Sequence, residues 1–146
     1  MQTKAAFSRL LSGLLCFVLI AAMALTMASC KTGPELPSED PSVKATVVGQ
    51  GSKSFSFNVF DAEGNQTSFT VKTDKETVGE ALLDAGLIAG EESTYGLYVK
   101  TVNGVTADYD VDKTYWAFYI DGEYAMTGVD ATPVTEGAVY AFKIEK

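Results

Sequence analysis

Alternation of apolar and polar positions marks most of the chain. In Ser54-Phe55-Ser56-Phe57-Asn58-Val59-Phe60, the residues Phe55, Phe57 and Val59 fall on one face and polar residues on the other. Thr67-Ser68-Phe69-Thr70-Val71-Lys72-Thr73 repeats the pattern, with Phe69 and Val71 directed the same way. Period-2 patterning of this kind predicts strands with one covered face. The intervening Asp61-Ala62-Glu63-Gly64-Asn65 is a turn cluster, so the two strands read as a β-hairpin. Val43 to Val48 reads as an earlier strand, broken by Gly49 to Gly51. Further strands are predicted over Tyr95 to Thr101, Tyr115 to Ile120 and Val139 to Ile144, with a short piece at Glu123 to Ala125. Asn103-Gly104 and Asp121-Gly122 are tight-turn signals, because both residue types tolerate positive φ.

The period changes once. Thr77-Val78-Gly79-Glu80 has the spacing of a capping box, in which the Thr77 hydroxyl takes the Glu80 N–H and the Glu80 carboxylate reaches back. Val78, Ala81, Leu82 and Ala85 follow at helical spacing. Gly86 supplies a left-handed cap and Leu87 its hydrophobic contact. This helix has under three turns and must bury its apolar stripe on a sheet to persist. Gly79 inside it costs about 1 kcal/mol against alanine, which is compatible with a close helix–sheet approach. Helix and strands are segregated along the chain, so the expected class is α+β.

Three segments follow from the patterning. Residues 1–29 combine Lys4 and Arg9, an apolar run from Leu10 to Leu25 and small residues at Ala28 and Ser29, immediately before Cys30. That is the layout of a secretory signal, and Met27-Ala28-Ser29-Cys30 resembles a bacterial lipobox, in which the cysteine thiol carries lipid. The expectation is a lipid-modified Cys30, a chain held at the extracytoplasmic side of a bacterial membrane, and acyl chains as the attachment. Residues 30–42 hold Pro34, Pro37 and Pro41 among acids and serines and read as a flexible linker. Residues 43–146 are the folded domain.

Composition narrows the chemistry. The chain has 146 residues, 19 of them acidic and 11 basic, for a net charge of −8. Every acidic residue follows Cys30, whereas Lys4 and Arg9 precede it, so the exported part is more acidic still. Nucleic-acid binding needs clustered Lys and Arg and is not expected. There is no histidine, which removes histidine bases and the commonest zinc ligands. Both cysteines, Cys16 and Cys30, lie ahead of the domain, so no disulfide staples it. Asp108-Tyr109-Asp110-Val111-Asp112 has the D-x-D-x-D opening of a calcium loop. However, its sixth position is Lys113 and its twelfth Tyr119, where glycine and glutamate are needed. No metal site and no catalytic constellation emerge, and the chain reads as a non-enzyme.

The candidate ligand site is the aromatic stretch with its following loop. Tyr115, Ala117 and Tyr119 alternate with Trp116, Phe118 and Ile120, so both faces of the strand are apolar. At least part of this is core. The rest can form a platform beside Thr127-Gly128-Val129, where small residues let a flat ligand approach backbone donors. The candidate binding residues are Tyr115, Trp116, Tyr119, Thr127, Gly128 and Val129.

In order, Thr77-Val78-Gly79-Glu80-Ala81-Leu82, Tyr95-Gly96-Leu97-Tyr98-Val99, Val102-Asn103-Gly104-Val105, Tyr115 to Gly122, Thr127-Gly128-Val129-Asp130 and Glu136-Gly137-Ala138-Val139-Tyr140 run through the domain. This succession resembles the bacterial relatives of the transcobalamin C-terminal domain, many of them domains of unknown function on secreted lipoproteins. The resemblance implies a small β-grasp (ubiquitin-like) mixed sheet with one packed helix, and a corrinoid (cobalamin-like) or other flat ligand handled in uptake, with a transporter or surface protein as partner. Asp130 directly follows Val129 here, where the vitamin carriers have an intervening residue, and their helical partner domain has no counterpart in this sequence. The alternative expectation is a cell-surface interaction or adhesion module that binds protein or glycan through the same patch.

Overall fold

The computed structural model describes residues 36–146. The signal segment and Cys30 lie outside the described residues. Nine strands and one helix of two turns build the domain, an α+β arrangement. The main sheet contains β1 (Thr46–Gly49), β2 (Lys53–Phe60), β3 (Gln66–Thr73), β7 (Tyr115–Ile120), β8 (Glu123–Tyr124) and β9 (Val139–Glu145), in the order β1-β3-β2-β9-β7-β8. A second sheet holds β4 (Ile88–Ser93), β5 (Gly96–Val102) and β6 (Val105–Thr106).

The first hairpin pairs Phe57 with Phe69 and Phe55 with Val71, which puts the predicted inward residues side by side. The last strand, β9, runs parallel to β2 and antiparallel to β7. A hairpin, then a helix, then a final strand inserted beside the first hairpin strand is the β-grasp order. The inward face is rich in aromatic residues. Phe142 on β9 meets Phe57 edge-on at 6.1 Å, Trp116 edge-on at 6.4 Å and Phe118 at 5.1 Å between ring centres. Edge-to-face contacts of this kind add to the burial energy itself.

Helix α1 (Val78–Asp84) closes over that face with Val78, Ala81 and Leu82 buried. Its capping box is formed, with the Thr77 hydroxyl accepting from Glu80 N–H at 3.3 Å and the Glu80 carboxylate accepting from Thr77 N–H at 3.4 Å. Gly86 takes φ +70° as the left-handed cap, and Leu87 N–H returns to the Leu82 carbonyl at 2.9 Å. Asn103-Gly104 and Asp121-Gly122 both adopt positive φ at each central residue, the twist that two-residue hairpins require.

Two elements differ from expectation. Ile88–Ser93 is a strand, although its residues do not alternate. It exists because β5 offers a partner, and a bulge at Ala89/Gly90 absorbs the mismatch. Tyr109–Asp112, within the D-x-D-x-D stretch for which no helix is predicted, is a single helical turn. Asp108 caps it by accepting from Asp110 N–H at 3.0 Å, and Lys113 ends it at φ +61°.

The last residues of the predicted linker make contacts with the sheet. Residues 36–42 form a strap across the outer face of the main sheet. Leu36 packs on a second apolar cluster of Phe60, Ala117, Tyr119 and Ala141, with Tyr115 beside it. Further along, Asn58 Nδ2 donates to Glu39 Oε1 at 2.8 Å, and Asp40 N–H donates to Gln66 Oε1 at 2.7 Å. Ser42 N–H and Oγ then bind the Asp40 carboxylate at 2.8 and 2.6 Å. Proline spacing says only that this segment is not helical; its partners lie far away in sequence.

Phe142→Ala is expected to remove about 3–5 kcal/mol of stability, because it empties the centre of the aromatic stack. Urea denaturation followed by near-ultraviolet circular dichroism checks this; a loss below about 1 kcal/mol would mean that the stack is not the centre of the core.

Candidate functional site

The sequence-predicted ligand residues separate onto two sides of the main sheet. Trp116 faces inward and is 7% exposed. Its indole N–H is shared between the Lys100 carbonyl at 3.1 Å and the Val105 carbonyl at 3.2 Å, so it pins the small sheet to the main one. Val129 is buried in the same inner core. Tyr119 faces the other way, is fully buried, and donates its hydroxyl to Glu145 Oε1 at 3.2 Å. Tyr124 meets its ring edge-on at 5.7 Å. Tyr115 is half-buried on that outer side, next to Leu36. Thr127 and Gly128 are exposed, and Thr132 Oγ1 holds the loop by donating to the Gly128 carbonyl at 2.8 Å. The tyrosines and the 127–129 loop therefore do not share one surface, and Trp116, Tyr119 and Val129 are core residues in this fold.

A different convergence is present at Asp130. The short 3-10 turn Val129–Ala131 places this carboxylate where the helix, the β4–β5 hairpin and the loop meet. Asp130 Oδ2 accepts from Leu97 N–H at 3.2 Å. Three glycines make room for it. A Cβ on Gly79 would lie 2.9 Å from both Asp130 Cα and Asp130 N. One on Gly96, which sits at φ +102°, would lie 2.5 Å from Asp130 Oδ2, and one on Gly128 would lie 2.8 Å from Oδ1. Gly79 thus has its reason: the helix rests directly on the turn's backbone.

Beside this junction opens a groove of about 280 Å³, lined by Gly79, Glu80 and Leu83 of the helix, Glu92, Ser93, Gly96 and Leu97 of the hairpin, and Asp130. Its walls pair apolar Leu83 and Leu97 with oxygen acceptors. Sequence reasoning missed it because its parts lie in three separate motifs. The signal was available in Gly79, a glycine inside a short helix, and in Gly96, a glycine at the start of a strand.

Several carboxylates are committed elsewhere. The Thr114 hydroxyl and N–H hold Asp112 below the usual carboxylate range. Ser52 does the same for Asp74 and Asn65 for Asp61. Among the described residues, no three His, Cys, Asp or Glu side chains gather as a metal-ligand set. In the Asp108–Asp112 stretch, Asp108 caps the helical turn and Asp112 accepts from Thr114 after it.

Residues 75–146 match the family model described as a domain of unknown function, DUF4430. A crystal structure from Ruminococcus gnavus, named a "putative metal binding protein", is 30% identical, covers 65% of this chain and 98% of its own, and superposes with a TM-score of 0.62. The chain belongs to the DUF4430 family. The family model starts just before the helix, so the Asp130 junction lies wholly inside the DUF4430 region, whereas β1–β3 and the strap precede it. Haptocorrin in complex with Cbi superposes at a TM-score of 0.49 with 24% identity, covering 64% of this chain and 25% of haptocorrin. None of the curated proteins matches the chain.

Gly79→Ala is expected to destabilise the DUF4430 domain by about 1–3 kcal/mol. The helix propensity gained is about 1 kcal/mol, but the obstructing atoms are Asp130 backbone, which cannot swing aside. Thermal unfolding of the variant checks this, and a rise in the midpoint would refute the close approach.

Burial, reinforced by the neighbouring Glu145 carboxylate, raises the Tyr119 hydroxyl well above the ordinary tyrosine value. A folded-state value above the unfolded one means that the neutral phenol is favoured in the fold. Its contribution is complete below the unfolded value of about pH 10 and is lost as pH rises through the folded one. Stability should fall from about pH 10 upward, and Tyr119→Phe should flatten the fall. Denaturation midpoints measured across the alkaline range would show it; identical slopes for both proteins would argue against this origin.

Proposed function

We propose that this protein is a lipid-anchored, extracytoplasmic binding domain without catalytic activity, which takes the rim of a corrinoid in the groove beside Asp130. The observation that carries the reading is the convergence itself. Gly96 and Gly128 give way to the Asp130 carboxylate and Gly79 to the Asp130 backbone, and an open groove with apolar and acceptor walls lies beside them. A corrin rim carries methyl groups and primary amides. Leu83 and Leu97 suit the former, and the Glu80, Glu92 and Asp130 carboxylates, with the Ser93 hydroxyl, suit the amide donors. The succession of motifs that resembles the transcobalamin C-terminal domain supports the same ligand class. The basic start, apolar run and small residues before Cys30 support lipid attachment and delivery at a membrane.

The groove is small, so it engages one edge of such a ligand, and a transporter or second surface protein would cover the rest. The metal-binding name of the Ruminococcus relative is not carried over. Glu80 is turned toward its capping partner and Asp130 toward Leu97 N–H, which leaves no assembled ligand set among the described residues.

Titration of the purified lipoprotein with dicyanocobinamide and cyanocobalamin, followed by corrin absorption and calorimetry, tests the reading. Saturable binding in the micromolar to millimolar range is expected. Leu83→Arg, on an exposed helix position, should weaken it by about tenfold or more, equivalent to about 1.4 kcal/mol. No response up to about 1 mM ligand would exclude a corrinoid.

A second reading, an adhesion module, is favoured by one feature. Tyr95 at the tip of the β4–β5 hairpin is 98% exposed and Met126 is 92% exposed, as side chains that anchor protein interfaces often are. Capture of a surface protein that is lost in Tyr95→Ser would favour it over the corrinoid.

A further inference from the structure

The strap borders a second, open pocket on the outer face of the main sheet, away from the Asp130 groove. It measures about 350 Å³ and lies between residues 39–45 and the strands β2 and β3. Its floor is polar. Asn58 and Ser68 face each other across the β2–β3 pair, and they are only 4% and 7% exposed. Ser56 continues the same face of β2. Burying amide and hydroxyl groups costs free energy unless their hydrogen bonds are met, and here they are met in an ordered way. Asn58 Nδ2 binds Glu39 of the strap at 2.8 Å, and the Ser68 hydroxyl accepts from Gln66 Nε2 at 2.8 Å. Asp40 is occupied by Ser42, which holds its carboxyl below the usual range. One wall is small and apolar: Pro41, Val43 and Ala45.

A strap evolved only to cover a sheet would meet apolar residues and exclude the space. This one does so at Leu36, over Phe60 and Tyr119, but from Glu39 onward it spans a polar floor and leaves a cavity. The volume falls at the lower end of that of small-molecule sites. No lysine or arginine lines it, which disfavours phosphate and carboxylate ligands. The carboxylates present already share donors from the protein. Closely spaced amide, hydroxyl and carboxylate groups beside a narrow apolar wall match a ligand that donates and accepts at alternate positions and carries C–H faces between them.

We propose that this cavity is a binding site for a neutral saccharide unit, with Asn58 and Glu39 as its principal hydrogen-bonding groups and the strap as part of the site. The proposal is independent of the corrinoid reading, since it uses neither the groove nor the lipid anchor.

The test uses the full chain, isotopically labelled, in a phosphocholine detergent that carries no sugar. Glucose, galactose and N-acetylglucosamine are each titrated to about 50 mM while backbone amide resonances are followed. The expected result is saturable shifts at residues 39, 56, 58 and 68 with at least one sugar, with a dissociation constant of about 1 mM. Ser56→Trp fills the cavity from an exposed position and should abolish the shifts while leaving the thermal midpoint unchanged. Glu39→Gln should weaken binding by about tenfold, or about 1.4 kcal/mol. No saturable response to any of the three sugars, or equal responses in Ser56→Trp, would overturn the proposal.

Discussion

The position of β9 is the constraint on which the rest depends. The last strand of the chain lies in the middle of the main sheet, parallel to β2 and antiparallel to β7. Until it arrives, the hairpin β2–β3 and the strand β7 have no common neighbour. Its inward side chains, Tyr140 and Phe142, are also those that touch Phe55, Phe57, Trp116 and Phe118. Closing this long-range pairing costs loop entropy before it gains contacts. The aromatic density of the inner face is the compensation: large rings bury much area per residue ordered.

Once the sheet is closed, the helix and the small sheet are held by few but specific contacts. Trp116 uses its ring for the core and its N–H for the β5 and β6 carbonyls. Asp130 joins the 3-10 turn to the hairpin through one hydrogen bond, under a helix that approaches closely at Gly79. Such a junction leaves a groove because its parts are backbone and small residues, which meet before larger side chains could fill the space between them. The opening at the Asp130 site is thus a consequence of how three elements are fastened.

Much of the fold was legible locally. The alternating strands, the capping box and both two-residue turns are short-range patterns, and all but the first strand, which runs over Thr46–Gly49 rather than Val43 to Val48, formed where their patterns lay. What was not legible depends on partners distant in sequence. Ile88-Ala89-Gly90-Glu91-Glu92-Ser93 has no period, and Gly90 is required because a Cβ there would lie 2.1 Å from the Tyr98 carbonyl oxygen. The two faces of Tyr115–Ile120 were assigned correctly by alternation. That both faces are covered was not, because the cover for the outer one is Leu36, in a segment whose prolines and charges read as solvated. The candidate site shifted for the same reason. An aromatic run draws attention in a sequence, but in the fold its rings are structural, and the openings lie where glycines and small polar residues meet.

The strap gives the outer face a role that a free tether could not. Its hydrogen bonds to Asn58 and Gln66 are made by Glu39 and by the Asp40 backbone, so the segment is tied to the sheet while its charges remain at the surface. The acidic residues stay exposed, and one oxygen of Glu39 accepts from the buried Asn58 amide of the sheet. Such a tie needs a polar floor, and Asn58 and Ser68 stand where a covered sheet would ordinarily carry apolar side chains. The same requirement keeps the cavity from being packed shut. A sheet face that must hydrogen-bond its own strap is also a face already arranged to hydrogen-bond a small polar guest.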